Sequence, residues 1–170
     1  MFTMIFNRLK AAVDRVIAAF CVLVMIALVI CVVWQVVSRY VLNQPSTLTD
    51  ELARFLMICV GLLGAAYSVG AQRHLSIDLL ALSLSRPKQA LLSLLVNLMI
   101  FVFAGLVIVT GGIRLIGKTL ETAQVSAVMQ IPMGYVYLIL PLSGLVIMFY
   151  ALNFMCQSLL ALKTANVEAL

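Results

Sequence analysis

Few side chains in this sequence could catalyse, ligate a metal or carry protons. A single histidine, His74, stands in Arg73-His74-Leu75-Ser76-Ile77-Asp78. Histidine titrates near neutrality and is a common metal ligand, so the segment could form a pH-sensitive site. Without a cluster of further ligands, His74 reads instead as a surface or interface residue. Asp78, four residues on, suits a helix cap or a salt-bridge partner. The four cysteines, Cys21, Cys31, Cys59 and Cys156, fall in apolar surroundings without Cys-x-x-Cys spacing. There they behave as small hydrophobes, which argues against a membrane disulfide-forming enzyme. No phosphate-cradling glycine loop, metal cluster or nucleophile–base motif is present in the sequence. No catalytic residue, cofactor or metal site is therefore expected, and the chain does not read as an enzyme.

The remaining polar chemistry is charge at turns. Asn43-Gln44-Pro45-Ser46-Thr47 is a turn signal, and Thr47 with Asp50 matches a capping box. Asp50 and Glu51 then enter a first helical turn, where the helix dipole favours acids. Both lie within three or four residues of Arg54 and can pair with it. The bland reading is a capped helix start with a solvated ion pair; the functional reading is a docking face beside the membrane. Arg114, Lys118 and Glu121 lie at i, i+4 and i+7, so they share one face of a helix that continues past the membrane to about Thr122. Asp50, Glu51, Arg54, Arg114, Lys118 and Glu121 are the docking candidates.

The elements that must position these groups follow from composition. Of 170 residues, 65% are hydrophobic and 10% charged, and mean hydropathy is +1.19. A soluble domain runs about 45–50% apolar and about 25% charged. A chain of this size cannot bury so much apolar surface in one core. It reads as an integral membrane protein, which disfavours a lone soluble enzyme, a nucleic-acid binder and a disordered regulator. Uncharged runs lie between Arg15 and Arg39, Arg54 and Arg73, and Lys88 and Arg114, with a fourth inside Glu121 to Lys163. Crossing the hydrocarbon takes about 20 residues. The expected architecture is all-α, a single membrane domain with four tilted spans at about 14–38, 50–72, 89–115 and 132–160. The first run is too long for a signal peptide and has no small-residue cleavage site after it.

Lys and Arg in short loops set orientation. Arg8, Lys10, Arg15, Arg73, Arg86, Lys88 and Lys163 would face the cytoplasm, against Arg39, Arg54, Arg114 and Lys118 outside. Both termini are thus expected inside. Phe2, Ile5, Phe6, Leu9 and Val13 fall on one stripe, which suits a short amphipathic surface helix over residues 2–15 or else a frayed basic terminus. Trp34, Tyr40, Tyr135 and Tyr137 sit where a periplasmic aromatic belt would. Pro132 suits a first helical turn, and Pro141 should kink the fourth span.

Gly61, Gly64, Ala65 and Ser68 form a small-residue stripe on the second span, the kind of surface at which helices approach closely in lipid. Spacing does not say whether the facing helix belongs to this chain. Trp34, Arg39, His74 and Asp78 join these four as partner-interface candidates. The uncharged runs hold no acid or base, no mid-membrane Gly-Pro break and no inverted repeat, the usual marks of a transport path.

Several stretches together resemble a known family. They are Trp34-Gln35-Val36-Val37-Ser38-Arg39-Tyr40-Val41, Pro45-Ser46-Thr47-Leu48-Thr49-Asp50-Glu51-Leu52-Ala53-Arg54-Phe55, Gly61-Leu62-Leu63-Gly64-Ala65-Ala66-Tyr67 and His74-Leu75-Ser76-Ile77-Asp78-Leu79-Leu80. With Gln130-Ile131-Pro132-Met133-Gly134-Tyr135-Val136-Tyr137 and Leu140-Pro141-Leu142, they resemble the small membrane subunit of tripartite ATP-independent periplasmic (TRAP) transporters, the DctQ-like family. The resemblance runs from about Ala11 to Phe154. Leu48 stands where the family often has Trp, and Asp50 replaces a Glu with charge kept.

The resemblance implies a four-span subunit of the bacterial inner membrane. It implies a large membrane subunit as partner, which carries the substrate and sodium sites and moves as an elevator. It also implies a soluble periplasmic binding protein that docks transiently. Uptake would be sodium-driven, for organic acids such as sialic acid or C4-dicarboxylates. The chain would brace the large subunit, help dock the binding protein and touch membrane phospholipids. Rival readings are a homo-oligomeric channel or exporter, which the small-residue stripe permits, and a membrane redox or assembly factor.

Overall fold

The computed structural model describes the backbone of residues 2–71 and 86–167, and the side chains of residues 8–71 and 88–160. His74 and Asp78 lie outside the described residues, as does the segment before the third span. The all-α expectation holds. Among the described residues, four helical stretches are long and apolar enough to cross a membrane: Arg8–Tyr40, Thr47–Gly70, Lys88–Glu121 and Met133–Leu160.

Helix α1 runs unbroken from Phe2 to Tyr40. It contains neither Gly nor Pro, so nothing stops helix propagation once begun. Residues 2–15 are therefore helical and continuous with the first span, so they form neither the separate surface helix nor the frayed terminus that the sequence left open. The stop comes at Asn43, which adopts φ 52, and Pro45 follows. The Gln44 N–H donates to the Ser38 carbonyl at 3.1 Å, and the buried Ser38 hydroxyl donates back to the Gln44 carbonyl. Helix α2, Thr47–Gly70, starts at an extended Ser46 whose side chain makes no capping bond. The Thr47–Asp50 capping box is not formed, because Thr47 is already inside the helix.

The third span is α3, Arg86–Phe103, a π-helical turn at Ala104–Val109, and α4, Thr110–Glu121. A π turn inserts a residue into an otherwise α ladder and bends it locally. The fourth span is α5, Met133–Tyr137, with Pro132 just before its first turn, and α6, Ile139–Val167. The interruption at Leu138 is where Pro141 acts. Proline has no N–H for the carbonyl four residues back, at Tyr137, so the expected kink becomes a break.

Helix α1 packs along α2 and α3 along α6, and α2 on α6 joins the two hairpins. One apolar cluster gathers Ile17, Leu63, Tyr150 and Phe154; another gathers Ala66, Ala104 and Ile147. Two close approaches define the seams. At Gly70 a Cβ would stand 2.6 Å from the Tyr150 ring, and at Gly112 one would stand 2.9 Å from Pro141 Cδ and 3.1 Å from its backbone nitrogen. A polar bond crosses the α3–α6 seam, where the Ser93 and Ser158 hydroxyls lie 3.0 Å apart; within α3, Asn97 Nδ2 donates to the Ser93 carbonyl at 2.8 Å. Such interhelical bonds act as glue in lipid.

The first span is 11% buried over its most apolar window and the fourth 28%. The fourth span is thus the centre of the bundle, and most of the apolar surface faces outward. Because the rigid Pro141 ring, the Leu140 Cβ and the Pro141 nitrogen, rather than a movable side-chain tip, limit the space at Gly112, Gly112→Ala should destabilise the fold by about 1–3 kcal/mol. The check is the thermal midpoint of the purified protein in detergent. Gly117→Ala, where a Cβ meets nothing within 4 Å, should not lower that midpoint and should raise it slightly through helix propensity.

Candidate functional site

Most of the polar candidates converge at one end of the bundle. It is built from the end of α1, the start of α2, the end of α4 and the loop 122–132. Glu51, in the second turn's reach of α2, is the organising residue. Its Oε1 accepts the Ala127 N–H at 3.0 Å, and its Oε2 accepts those of Val128 at 3.0 Å and Met129 at 2.9 Å. The Ser126 hydroxyl stands beside the same carboxylate. Three successive N–H groups aimed at one anion form a backbone nest.

The loop is shaped to present them. Val125 and Pro132 form an antiparallel bridge. Ser126 N donates to the Ile131 carbonyl at 2.9 Å, and Met133 N donates to that of Gln124 at 2.9 Å. Ala123 and Gln130 take positive φ of 47 and 56 to turn the chain. Glu51 was expected to share Arg54 with Asp50; it bridges to a loop some 76 residues away instead.

Asp50 alone takes Arg54, whose Nη2 donates to Oδ2 at 2.7 Å. Its Oδ1 accepts Gln35 Nε2 from α1, so this carboxylate ties α1 to α2. Arg39 lies nearby in a cleft with Gln35, Ser46, Thr47 and Asp50. Arg114, Lys118 and Glu121 all lie exposed on α4, as their spacing predicted. Tyr40 and Tyr135 are exposed at this end, and Trp34, nearly two turns before Tyr40, is exposed as well.

Helix α2 has two distinct faces. Leu63, Ala66 and Gly70 turn inward and are buried. Gly61, Ala65 and Ser68 are exposed and Gly64 is half-buried. A Cβ at Gly61 or Gly64 would meet nothing within 4 Å. Among the described residues, the small-residue stripe thus packs on no helix.

At the opposite end lies an acid that the sequence reading passed over. Asp14 accepts a hydrogen bond from the Tyr150 hydroxyl and pairs with Lys10 at 3.0 Å. The Lys10 ammonium is 5.8 Å from the Tyr150 ring centroid and 5.6 Å from that of Phe154, within cation–π range. This cluster fastens α1 to α6. Its sequence signal was the i,i+4 pair Lys10–Asp14 at the threshold of an apolar run.

A family model described as "Tripartite ATP-independent periplasmic transporters, DctQ component" matches residues 28–161. The chain is 33% identical over 107 residues to the sialic acid TRAP transporter small permease protein SiaQ of Vibrio cholerae, across 62% of this chain and 61% of that protein. It thus spans less than two thirds of that relative. A putative TRAP transporter small permease protein of Haemophilus influenzae is 24% identical over 135 residues, covering 79% and 82% of the two chains. The sialic acid TRAP transporter permease protein SiaT of Haemophilus influenzae is 34% identical over 68 residues, which is 40% of this chain and 11% of that one.

The Glu51 bonds carry a direct test. Glu51→Gln replaces one acceptor oxygen by an NH2 group that faces N–H donors. Amide exchange at Ala127, Val128 and Met129 should then quicken by roughly tenfold or more, since charge-assisted bonds are the strong ones. Asp50→Asn should leave those three amides as they were. Site-resolved hydrogen exchange measures both.

Proposed function

The chain belongs to the DctQ component family of tripartite ATP-independent periplasmic transporters, and from that premise we propose that it is the scaffold subunit beside a large, moving permease subunit. As a family member it is a small permease subunit and a multi-pass membrane protein. The observation that carries the scaffold reading is the outward face of α2. Gly61, Gly64, Ala65 and Ser68 form a small-residue face that no described helix covers. In lipid, close backbone approach is what associates helices, so this face suits a helix of the larger subunit. The SiaT match supports such a partner, because there the similar stretch is a small part of a much longer permease protein.

The transported solute would be an organic acid, sialic acid by likeness to SiaQ and SiaT or a C4-dicarboxylate, driven by sodium. Both termini would be cytoplasmic, which puts the Glu51-held loop on the periplasmic side of the inner membrane. There Arg54, Arg114, Lys118 and Glu121 would meet the periplasmic binding protein. Asp50 and Glu51 would act on docking by shaping that surface, through α1 and the loop respectively. Trp34, Arg39, His74 and Asp78 remain candidates for contact with the large subunit.

Two measurements test this reading. Gly61→Leu with Gly64→Leu should cut co-purification of the large subunit several-fold and abolish sodium-driven uptake in proteoliposomes, with the thermal midpoint of the small subunit unmoved. Full-rate uptake by the large subunit and binding protein without this chain would refute the bracing role. For docking, Arg114→Glu with Lys118→Glu should raise the binding-protein concentration needed for half-maximal uptake and weaken its dependence on salt, as rim charges act on encounter. An unchanged half-saturation point would remove these residues from the docking face.

A further inference from the structure

The cleft between the end of α1 and the start of α2 holds charge that the packing of the described helices on one another does not use. Its larger part, about 280 Å³, is lined by Gln35, Val36, Arg39, Tyr40 and Asp50. A smaller adjoining part adds Pro45, Ser46 and Thr47. Two opposite charges face this space. The ion pairs among the described residues are Lys10–Asp14 and Arg54–Asp50, so the exposed Arg39 guanidinium has none. The Asp50 carboxylate holds Gln35 and Arg54 but its side chain stays 44% exposed, and a carboxylate has about four acceptor sites. The Ser46 hydroxyl makes no capping bond and is free to donate.

The position matters as much as the charges. The cleft opens beside exposed Trp34 and Tyr40, residues that favour the membrane–water interface. Below it, Val36, Val33 and Val29 line the outer surface of α1, exposed and apolar. An occupant should therefore pair an anion with a cation in its head and carry an apolar tail.

We propose that this cleft binds the headgroup of a zwitterionic aminophospholipid, phosphatidylethanolamine, with its phosphate on Arg39 and Ser46 and its ammonium on Asp50. Arginine suits phosphate through its planar fork of donors. The ammonium satisfies the acceptor capacity that Asp50 has left, and the acyl chains follow the valines of α1. A purely anionic headgroup would set its phosphate against the Asp50 carboxylate and bring no cation of its own to it, Arg54 being the one cation already paired there among the described residues. The inference needs only that α1 and α2 span a membrane, and it stands apart from the scaffold reading.

Native mass spectrometry of the full chain in detergent tests it, with added phosphatidylethanolamine, phosphatidylcholine or phosphatidylglycerol. The unaltered protein should retain phosphatidylethanolamine best, because phosphatidylcholine cannot donate to Asp50 and phosphatidylglycerol has no cation. Arg39→Gln should weaken phosphatidylethanolamine binding by about tenfold or more, the scale of a lost charge-assisted bond, and Arg39→Lys should restore part of it. Equal binding by Arg39→Gln and the unaltered protein would overturn the site. Equal retention of phosphatidylglycerol would overturn the zwitterionic assignment. Displacement of the lipid by inorganic phosphate at matched concentration would show a free-anion site and overturn the lipid. Arg39 is exposed, so its variants keep the fold, and their thermal midpoints confirm that.

Discussion

In hydrocarbon a peptide group cannot hand its hydrogen bonds to water, so each must be satisfied by the chain itself. The architecture follows from that constraint. It forces the apolar runs into helices and makes every departure from the α ladder dependent on a substitute partner. The π turn at Ala104–Val109 keeps its peptide bonds within the helix, with the Thr110 hydroxyl donating to the Leu106 carbonyl. The break at Leu138 is closed by Leu138 N donating to Tyr135 and Leu142 N donating to Leu138. The loop 122–132, which has no ladder for its tip, gives three N–H groups to Glu51.

Three of the four acids among the described residues are used for connection. Asp14 joins α1 to α6, Asp50 joins α1 to α2, and Glu51 joins α2 to the loop before α5. Each carboxylate spends its acceptor capacity on a different element. A chain whose apolar faces are largely interchangeable gains register from such bonds, since apolar packing alone would tolerate sliding. The Ser93–Ser158 hydroxyl pair does the same for α3 and α6.

Much of this was legible beforehand, and for physical reasons. Apolar run length reports span number because the bilayer has a fixed thickness. The spacing of Arg114, Lys118 and Glu121 reports a shared face because helix geometry is local. Pro141 marks a break because its missing N–H is a covalent fact. What escaped was set by contacts across the sequence. Glu51 looked like a partner for Arg54 because three residues separate them, and nothing local reveals a backbone nest at Ala127–Met129. Asp14 looked like the rim of a span, and only the fold brings Tyr150 to it. The small-residue stripe could be placed on one face of α2, but that the inward face is instead Leu63, Ala66 and Gly70 depends on where α6 lies.

The low burial of α1, 11% over its most apolar window, bears on how this polypeptide persists in a cell. A fold with little of itself inside draws its stability by mass action from whatever covers its surface, rising with the logarithm of that species' concentration. On the scaffold reading, its steady-state abundance should therefore track the supply of the larger subunit, and copies made in excess would be the first substrates of membrane proteolysis. Stoichiometry between chains can thus be kept without any dedicated regulator, through the thinness of a core.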